Sequence, residues 1–137
     1  MLRVVLDTDV VVSALVRPGG LQDQVLRLAL AGKLQLCVSE AVVEEYARVL
    51  PRPGLKLRSE EIRTALAKIR EVGTMVHPTK TLAISQDEPD NRFLECAEAA
   101  GAAFLVTGNT QHFPKSHKTT RIVNGRELLA LLTAPEQ

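Results

Sequence analysis

The sequence predicts an α/β fold in which helices cover both faces of a mostly parallel central sheet of about five strands. Short apolar segments typical of buried strands alternate along the chain with longer segments whose apolar residues recur at helical spacing. The segment from Ala103 to Val106 is continuously apolar, as strands buried on both faces of a sheet are. Strands and helices in this alternation form a three-layer α/β/α architecture, because crossover helices pack back onto the sheet.

The chain of 137 residues is expected to form one domain over residues 1–137. Its 45% hydrophobic and 24% charged residues are ordinary for a globular protein. No apolar run approaches the roughly 18 residues of a membrane-spanning helix, and Met1 leads into a strand-like run without a signal-peptide pattern. We therefore expect a cytoplasmic protein that does not enter a membrane.

In the first part of the chain, the predicted helices begin at residue types that favour helix starts and end at residue types that stop helices. Asp7, Thr8 and Asp9 supply N-cap chemistry for a first helix, and residues 17–20 break it with Pro and Gly. A second helix ends at Gly32. The predicted elements, in order, are strand 2–6, helix 10–16, helix 21–32 and strand 34–38.

The same signals divide the rest of the chain. Ser39 caps a third helix, and the Pro-Arg-Pro-Gly segment 51–54 stops it. A fourth helix opens at Ser59 and ends at Gly73, and Asn124 caps the last helix. The predicted elements, in order, are helix 39–50, helix 59–73, short strand 75–77, helix 87–101, strand 103–107, a loop to residue 117, strand 121–123 and helix 126–132.

Charge is unevenly distributed along a chain whose formal net charge is only +1. Basic residues dominate residues 46–70 and 115–126, whereas acids dominate residues 86–99. An acidic centre with basic flanks suits a metal-dependent enzyme that acts on a phosphate polymer. Solvated helix faces explain the same pattern and, on charge alone, are the better explanation.

Polar residues follow the predicted parallel strands where those strands end. In open α/β sheets the site lies beyond the carboxyl ends of the strands, near the point where strand order reverses. Those ends carry Asp7-Thr8-Asp9, Ser39 and Thr107-Gly108-Asn109. An Asp that ends a central strand is well placed to bind a ligand, although Asp7 also suits a helix cap.

The third predicted helix adds an acid near that edge. Glu45 falls within the helical stripe formed by Val42, Tyr46 and Val49, whereas Glu44 falls on a solvated face. An acid on an apolar stripe is costly unless it is paired or binds a cation. Glu45 is therefore expected to point inward, with a place at the edge of the stripe as the alternative.

Helix 87–101 begins with an acidic turn. Asp90 lies on the N-terminal extension of its apolar stripe, and Asp87 lies one turn earlier. Capping and compensation of the helix dipole would explain both acids without any ligand.

Asp7, Glu45 and Asp90 are predicted to gather at one site. Clustered carboxylates repel one another and are unstable without a cation. Ligands that are all oxygen favour Mg²⁺ or Mn²⁺, which retain water and share phosphate oxygens. One or two such ions could activate water for attack on a phosphodiester, so the pattern predicts metal-dependent hydrolysis of a nucleic acid.

Four blocks of the sequence resemble the PIN-domain family, and within it the toxin components of toxin–antitoxin systems related to VapC. The blocks cover residues 4–15, 38–46, 87–97 and 104–109 with 112–114, and they follow the family's order and spacing. The resemblance implies a metal-dependent ribonuclease whose acids match Asp7, Glu45 and Asp90. It also implies a homodimer and a small antitoxin that inserts a peptide into the acidic groove.

Two positions depart from the family pattern. The family commonly has Asn two residues after its first acid, where this chain has Asp9. Many members have an acid after the Thr-Gly pair, where this chain has Asn109. An amide contributes no charge, so Asp9 or Asp87 are the candidates to offset the loss, and the number of metals stays open.

Four further residues are weaker candidates. Thr107 suits a hydrogen bond to a carboxylate or substrate, or to the backbone at a strand end. His112 suits substrate contact or proton transfer, or packing in a loop beside Phe113-Pro114. Arg17 suits a phosphate contact or surface solvation, and Ser39 suits substrate contact or a helix cap.

Two other functions compete with the nuclease. The segment Asp7-Thr8-Asp9-Val10-Val11 fits the signature of haloacid-dehalogenase-like phosphatases, with Asp7 as nucleophile, Asp9 as acid/base and Ser39 as the supporting hydroxyl. Thr107-Gly108-Asn109 lacks the acid pair that those phosphatases need. A PIN-like module that binds RNA or a partner without catalysis is the third hypothesis, and Asn109 favours it.

Overall fold

The computed structural model describes residues 1–133, and its strands form one six-stranded sheet. The strands are β1 (Arg3–Leu6), β2 (Gln35–Val38), β3 (Thr74–Met75), β4 (Phe104–Val106), β5 (Ser116–His117) and β6 (Thr120–Val123). The helices are α1 (Thr8–Val16), α2 (Leu21–Leu30), α3 (Glu40–Val49), α4 (Ser59–Val72), α5 (Glu88–Ala100) and α6 (Gly125–Thr133). Short 3₁₀ turns cover Pro53–Leu55 and Thr110–His112.

The sheet has the strand order β3-β2-β1-β4-β6-β5, and every pair except β5–β6 is parallel. The chain runs outward from β1 to β2 and β3 and then returns across the sheet to β4, the other neighbour of β1. The strand order therefore reverses between β1 and β4, which is where open α/β sheets bind ligands. Val4, Val5 and Leu6 pair with Phe104, Leu105 and Val106, so the two strands end together.

The predicted fold class is confirmed: helices flank a mostly parallel sheet in a three-layer arrangement. The strands β1, β2 and β4 carry the centre of the core, with Val4, Leu36 and Leu105 almost wholly buried. Helix α5 packs across these three strands, while α2 packs against α1, α6 and β2.

The sixth strand corrects the expected number of about five. Residues 116–117 fall in a segment predicted to be a loop, but they pair antiparallel with β6 through Ser116–Arg121 and His117–Thr120. The turn is only Lys118-Thr119, with Lys118 in the left-handed region at φ 54°. Tight hairpins of this kind are usually marked by Asn-Gly or Asp-Gly, and that signal is absent from this turn.

A loop without strand or helix joins β3 to α5 and is held by side chains of α5. The amide oxygen of Asn91 accepts from the backbone N–H groups of Ile84 and Ser85 at 3.0 and 2.8 Å. Glu95 accepts from the N–H of Leu82 at 2.8 Å. Asn91 has no exposed surface, because these contacts enclose it.

Within residues 1–133, no helix has both the length and the apolarity needed to cross a membrane. The cytoplasmic location stays a prediction.

Candidate metal and active site

Asp7 lies at the carboxyl end of β1, beside the point where the strand order reverses. Its side chain is 7% exposed and caps α1, because one carboxylate oxygen accepts from the N–H of Thr8 at 2.7 Å. The other oxygen accepts from the hydroxyl of Thr107 at 2.7 Å. The ends of β1 and β4 are thus joined through a buried carboxylate, which combines the predicted cap with the predicted site position.

Asp9 and Asn109 lie against each other across the same edge. One oxygen of Asp9, Oδ2, accepts from the N–H of Gly108 at 2.9 Å and from the side-chain amide of Asn109 at 3.0 Å. A Cβ at Gly108 would lie 2.8 Å from that oxygen, so only glycine permits this approach. The second oxygen, Oδ1, is buried and has no hydrogen-bond partner among residues 1–133.

Asp90 and Asp87 extend the acids from the start of α5. Asp90 is 8% exposed, and its Oδ2 lies 3.5 Å from the Ser85 hydroxyl and 3.9 Å from Nδ1 of His112. Asp87, Asp90 and His112 each place a potential ligand atom within 4.8 Å of the others. The imidazole of His112 therefore joins the acidic group and does more than pack in its loop.

Glu45 reaches the cleft from α3. Its side chain is only 16% exposed, and its carboxylate contacts the guanidinium of Arg48. The hydroxyl of the next residue, Tyr46, donates to the carbonyl of Leu6 inside the core. Because Leu6 precedes Asp7, this bond joins the helix that carries Glu45 to the strand that carries Asp7. Glu44 is exposed, as predicted.

Burial and like charges disfavour the ionised forms of these acids. Burial, with the nearby charge of Asp9, raises the pKa of Asp7 from 3.8 to about 7. Burial, with the charge of Asp87, raises the pKa of Asp90 to about 6, although His112 and the Ser85 hydroxyl oppose the shift. Burial also raises the pKa of Asp9. Each raised pKa means that the surrounding protein does not fully compensate the charge of the ionised carboxylate.

Most of the predicted residues line one cleft of about 640 Å³, which we call the acidic cleft. It contains Asp7, Glu45, Asp90, Asp9, Asp87, Asn109 and His112. Thr107 lies behind it, bonded to Asp7. Ser39 is 2% exposed, caps α3 by accepting from the N–H of Val42, and does not line the acidic cleft. Arg17 is exposed at the end of α1 and also lies outside that lining.

The residues of the acidic cleft fit a divalent metal ion. The unpartnered Asp9 oxygen is a buried acceptor that a cation would satisfy. The donors are carboxylate oxygens with one imidazole, and carboxylates suit Mg²⁺ and Mn²⁺. A bound dication would also favour the ionised forms of Asp7 and Asp90 that burial now disfavours.

Three polar residues of the site were missed by the sequence interpretation. Arg48 contacts Glu45, three residues away, a helical pairing that the spacing could have indicated. Arg52 also lines the acidic cleft. Ser85 contacts Asp90 from an irregular loop, and no sequence pattern marks it.

Together the fold and the cleft define an α/β protein with a carboxylate-lined site at the carboxyl edge of a parallel sheet. A family model described as PIN domain matches residues 3–111. The chain therefore belongs to the PIN domain family, as the resemblance implied.

Two further comparisons found similar proteins. The chain is 27% identical over 111 residues to an uncharacterised protein of Methanocaldococcus jannaschii, a match that covers 79% of this chain and 71% of the relative. Its structure is similar to that of VapBC2 from Rickettsia felis bound to a DNA fragment from their promoter. The TM-score is 0.57 at 16% identity, with 90% of this chain and 98% of that chain covered. At this identity the second match is a likeness of fold.

Proposed function

We propose that the protein is a metal-dependent endoribonuclease that hydrolyses phosphodiester bonds of RNA. The observation that carries the proposal is the carboxylate cluster of the buried Asp7 and Asp90 and the half-buried Asp9 at the carboxyl edge of the sheet in a PIN domain. Burial and mutual repulsion make this cluster costly to ionise, and a bound cation would offset that cost.

Each side chain has a definite part in this proposal. Asp7, Glu45 and Asp90 are the proposed metal-binding and catalytic acids, and Asp9, Asp87 and His112 lie close enough to assist. Bound Mg²⁺ or Mn²⁺ would supply an activated water and stabilise the leaving oxygen. Thr107 orients the Asp7 carboxylate through its hydroxyl, and the cations of the cleft rim attract the phosphate backbone.

We further propose that the protein is the toxin of a toxin–antitoxin pair and acts as a homodimer. Support comes from the fold likeness to VapBC2 of Rickettsia felis and from the sequence blocks shared with VapC-related proteins. The acidic cleft already accommodates a guanidinium, that of Arg48 on Glu45. An antitoxin peptide bearing an Arg would find the same kind of charge there.

The test is cleavage of labelled RNA by purified protein with Mg²⁺, with Mn²⁺ and in EDTA, followed by return of the metal. Cutting that stops in EDTA and resumes with metal supports the proposal. A parallel single-stranded DNA substrate decides whether the activity is specific for RNA. Absence of cutting under every condition, in a protein that the metals do stabilise against heat, contradicts the nuclease.

Asn109 and Ser39 bear on the two competing functions, the non-catalytic binding module and the phosphatase. Asn109, which favours the non-catalytic RNA-binding or partner-binding module, is hydrogen-bonded to Asp9, so a carboxylate still occupies that corner of the cleft. A phosphatase would need Ser39 beside Asp7, but Ser39 is buried as the cap of α3 and lies outside the cleft. Neither position therefore weakens the nuclease proposal.

Thr107→Val is expected to lower the affinity for Mn²⁺ by about 10- to 100-fold, the usual effect of removing a partner that orients a metal ligand. The hydroxyl of Thr107 is buried and donates to Asp7 at 2.7 Å, and valine keeps its shape without that bond. Isothermal titration with Mn²⁺ measures the effect. Thr120→Val is the matched control, because the Thr120 hydroxyl is equally buried but donates to Ala102 away from the cleft. Equal affinities in the two variants would contradict the role of Thr107.

A further inference from the structure

Ser85, in the loop before α5, joins the start of that helix to the 3₁₀ turn that carries His112. The Ser85 hydroxyl donates to the backbone carbonyl of His112 at 2.9 Å and lies 3.5 Å from Oδ2 of Asp90. A hydroxyl has one proton, so the shorter contact takes it. The hydroxyl oxygen also accepts from the backbone N–H of Asp87 at 3.3 Å. One small side chain therefore fixes the main chain of His112 beside Asp87 and Asp90.

Ser85 is itself held by Asn91, which has no exposed surface. The amide oxygen of Asn91 accepts from the N–H of Ser85 at 2.8 Å, and its amide nitrogen donates to the carbonyl of Ser85 at 3.1 Å. Both backbone groups of Ser85 are thus bonded to α5, while its hydroxyl is bonded to the turn. We call these contacts among Asn91, Ser85 and His112 the serine bracket. Because Asn91 directly follows Asp90, the serine bracket sets His112 relative to that acid.

The imidazole of His112 is available to a ligand. Its ring makes no hydrogen bond among residues 1–133, and 49% of the side chain is exposed. Its Nδ1 lies 3.9 Å from Oδ2 of Asp90, a separation too long for a hydrogen bond. Potential ligand atoms of Asp87, Asp90 and His112 all lie within 4.8 Å of one another. One ion between them would therefore meet a nitrogen as well as carboxylate oxygens.

A nitrogen ligand changes which ion a carboxylate site prefers. Mg²⁺ is bound through oxygen atoms and keeps much of its water. First-row transition ions also bind imidazole, with affinities that rise from Mn²⁺ towards Ni²⁺. An imidazole held beside Asp90 would therefore strengthen the binding of transition ions and leave the binding of Mg²⁺ almost unchanged.

We propose that the serine bracket positions His112 as a nitrogen ligand, and that this ligand makes the acidic cleft prefer Mn²⁺ and related transition ions over Mg²⁺. The proposal rests on the proposed metal-dependent function and names the residues that choose its ion. Ser85 and Asn91 are positioning residues, because they act on the ion through His112.

The test compares Ser85→Ala, His112→Ala and the double variant with two matched controls. Ser116→Ala and His77→Ala remove the same side chains at exposed or edge positions outside the acidic cleft. Isothermal titration with Mn²⁺ and, separately, with Mg²⁺ gives the ratio of the two affinities without any RNA. Thermal melting verifies the fold of each variant.

We expect His112→Ala and Ser85→Ala each to lower the affinity for Mn²⁺ by about tenfold, the lower range for groups that orient a metal ligand. The affinity for Mg²⁺ and both controls should stay close to wild type. The double variant should lose no more than His112→Ala alone, because Ser85 acts through that residue. Ser85→Thr keeps the hydroxyl and should keep the wild-type ratio. If Ser85→Ala does not fold, Ser85→Cys, with its weaker donor, serves the same test.

Electron spin echo spectroscopy of bound Mn²⁺ detects a coordinated imidazole nitrogen directly. We expect this nitrogen signal in the wild type and in His77→Ala, and its loss in His112→Ala. Absence of the signal from the wild type would overturn the proposal. Equal loss of Mn²⁺ and Mg²⁺ affinity in Ser85→Ala, or additive losses in the double variant, would do the same.

These results are separate from the test of the nuclease. Nitrogen-bound Mn²⁺ in a protein that never cuts RNA would retain the role of His112 and remove the nuclease. RNA cleavage with Mn²⁺ that shows no nitrogen signal would retain the nuclease and remove the role of His112. Failure of either ion to bind would overturn both proposals.

Discussion

Asp7→Asn is expected to abolish metal-dependent cleavage of RNA, lowering kcat by about a thousandfold or more, and to stabilise the metal-free protein at pH 8. Activity is lost because the variant lacks the most buried carboxylate of the acidic cleft, the one that the ends of β1 and β4 both hold. Replacing a buried carboxylate in an active site by its amide can lower kcat by about 10⁴-fold. The same carboxylate is destabilising while no metal compensates it.

The direction of the stability change follows from the pKa of Asp7. The unfolded chain releases this proton near its ordinary pKa of 3.8, whereas the folded protein holds it to about 7. Stability is therefore lost as the pH rises between these values, by up to about 4 kcal/mol at 1.36 kcal/mol per unit. Asn removes the charge and still accepts one hydrogen bond, so the variant recovers part of this loss above pH 7.

Urea unfolding in EDTA at pH 5 and pH 8 measures the effect, with gain expected chiefly at pH 8. Asp23→Asn is the matched control: Asp23 is 8% exposed in α2 and accepts from the N–H of Gly19 and from Arg27. That variant should lose stability and retain cleavage. Cleavage by Asp7→Asn at the wild-type rate would remove Asp7 from the mechanism.

Asp9→Asn alone is expected to weaken Mn²⁺ binding and RNA cleavage. Exchanging the residues at positions 9 and 109 is expected to restore both. Asp9 and Asn109 touch through a hydrogen bond of 3.0 Å, so the pair presents one carboxylate and one amide to the acidic cleft. Asp9→Asn leaves two amides there, and we expect Mn²⁺ affinity and cleavage to fall by about 100-fold, the upper range for groups that orient a metal site. The double variant, with Asn109→Asp as well, returns the carboxylate to the same corner.

A double-mutant cycle over the wild type, both single variants and the exchanged pair measures this coupling. Titration with Mn²⁺ gives the affinity, and RNA cleavage gives the rate. We expect the exchanged pair to regain most of both, and Asn109→Asp alone to lower thermal stability in EDTA, since it sets a second carboxylate against Asp9. Failure of the exchange to rescue binding would mean that Asp9 acts from its own position only.

The acids were predictable because their signals are local. Asp7 ends an apolar strand, and Glu45 and Asp90 lie on helical stripes, so a spacing of three or four residues decided where each points. The helices and the parallel strands follow from the same short-range patterns. Even the contact of Arg48 with Glu45 had a local signal in its spacing of three residues.

Other parts of the site depend on residues far apart in the chain. The contact between Asp9 and Asn109 joins residues 100 positions apart, so only the register of β1 against β4 creates it. His112 joins Asp87 and Asp90 because the 3₁₀ turn Thr110–His112 places it beside the start of α5. Asn91 lies on α5, and it is wholly buried because the preceding loop folds onto it.

The hydrogen bonds between Asn91 and the loop that precedes α5 determine how that loop can move. One wall of the cavity of about 840 Å³ that shares Asp87 and His112 with the acidic cleft, residues 84–87, is fixed to α5 by side-chain contacts and by no strand ladder. Such a segment can open as a local unit at a free energy far below that of global unfolding. Hydrogen exchange at the amides of Ile84 and Ser85 therefore reports how long this wall stays closed, independently of the sheet behind it.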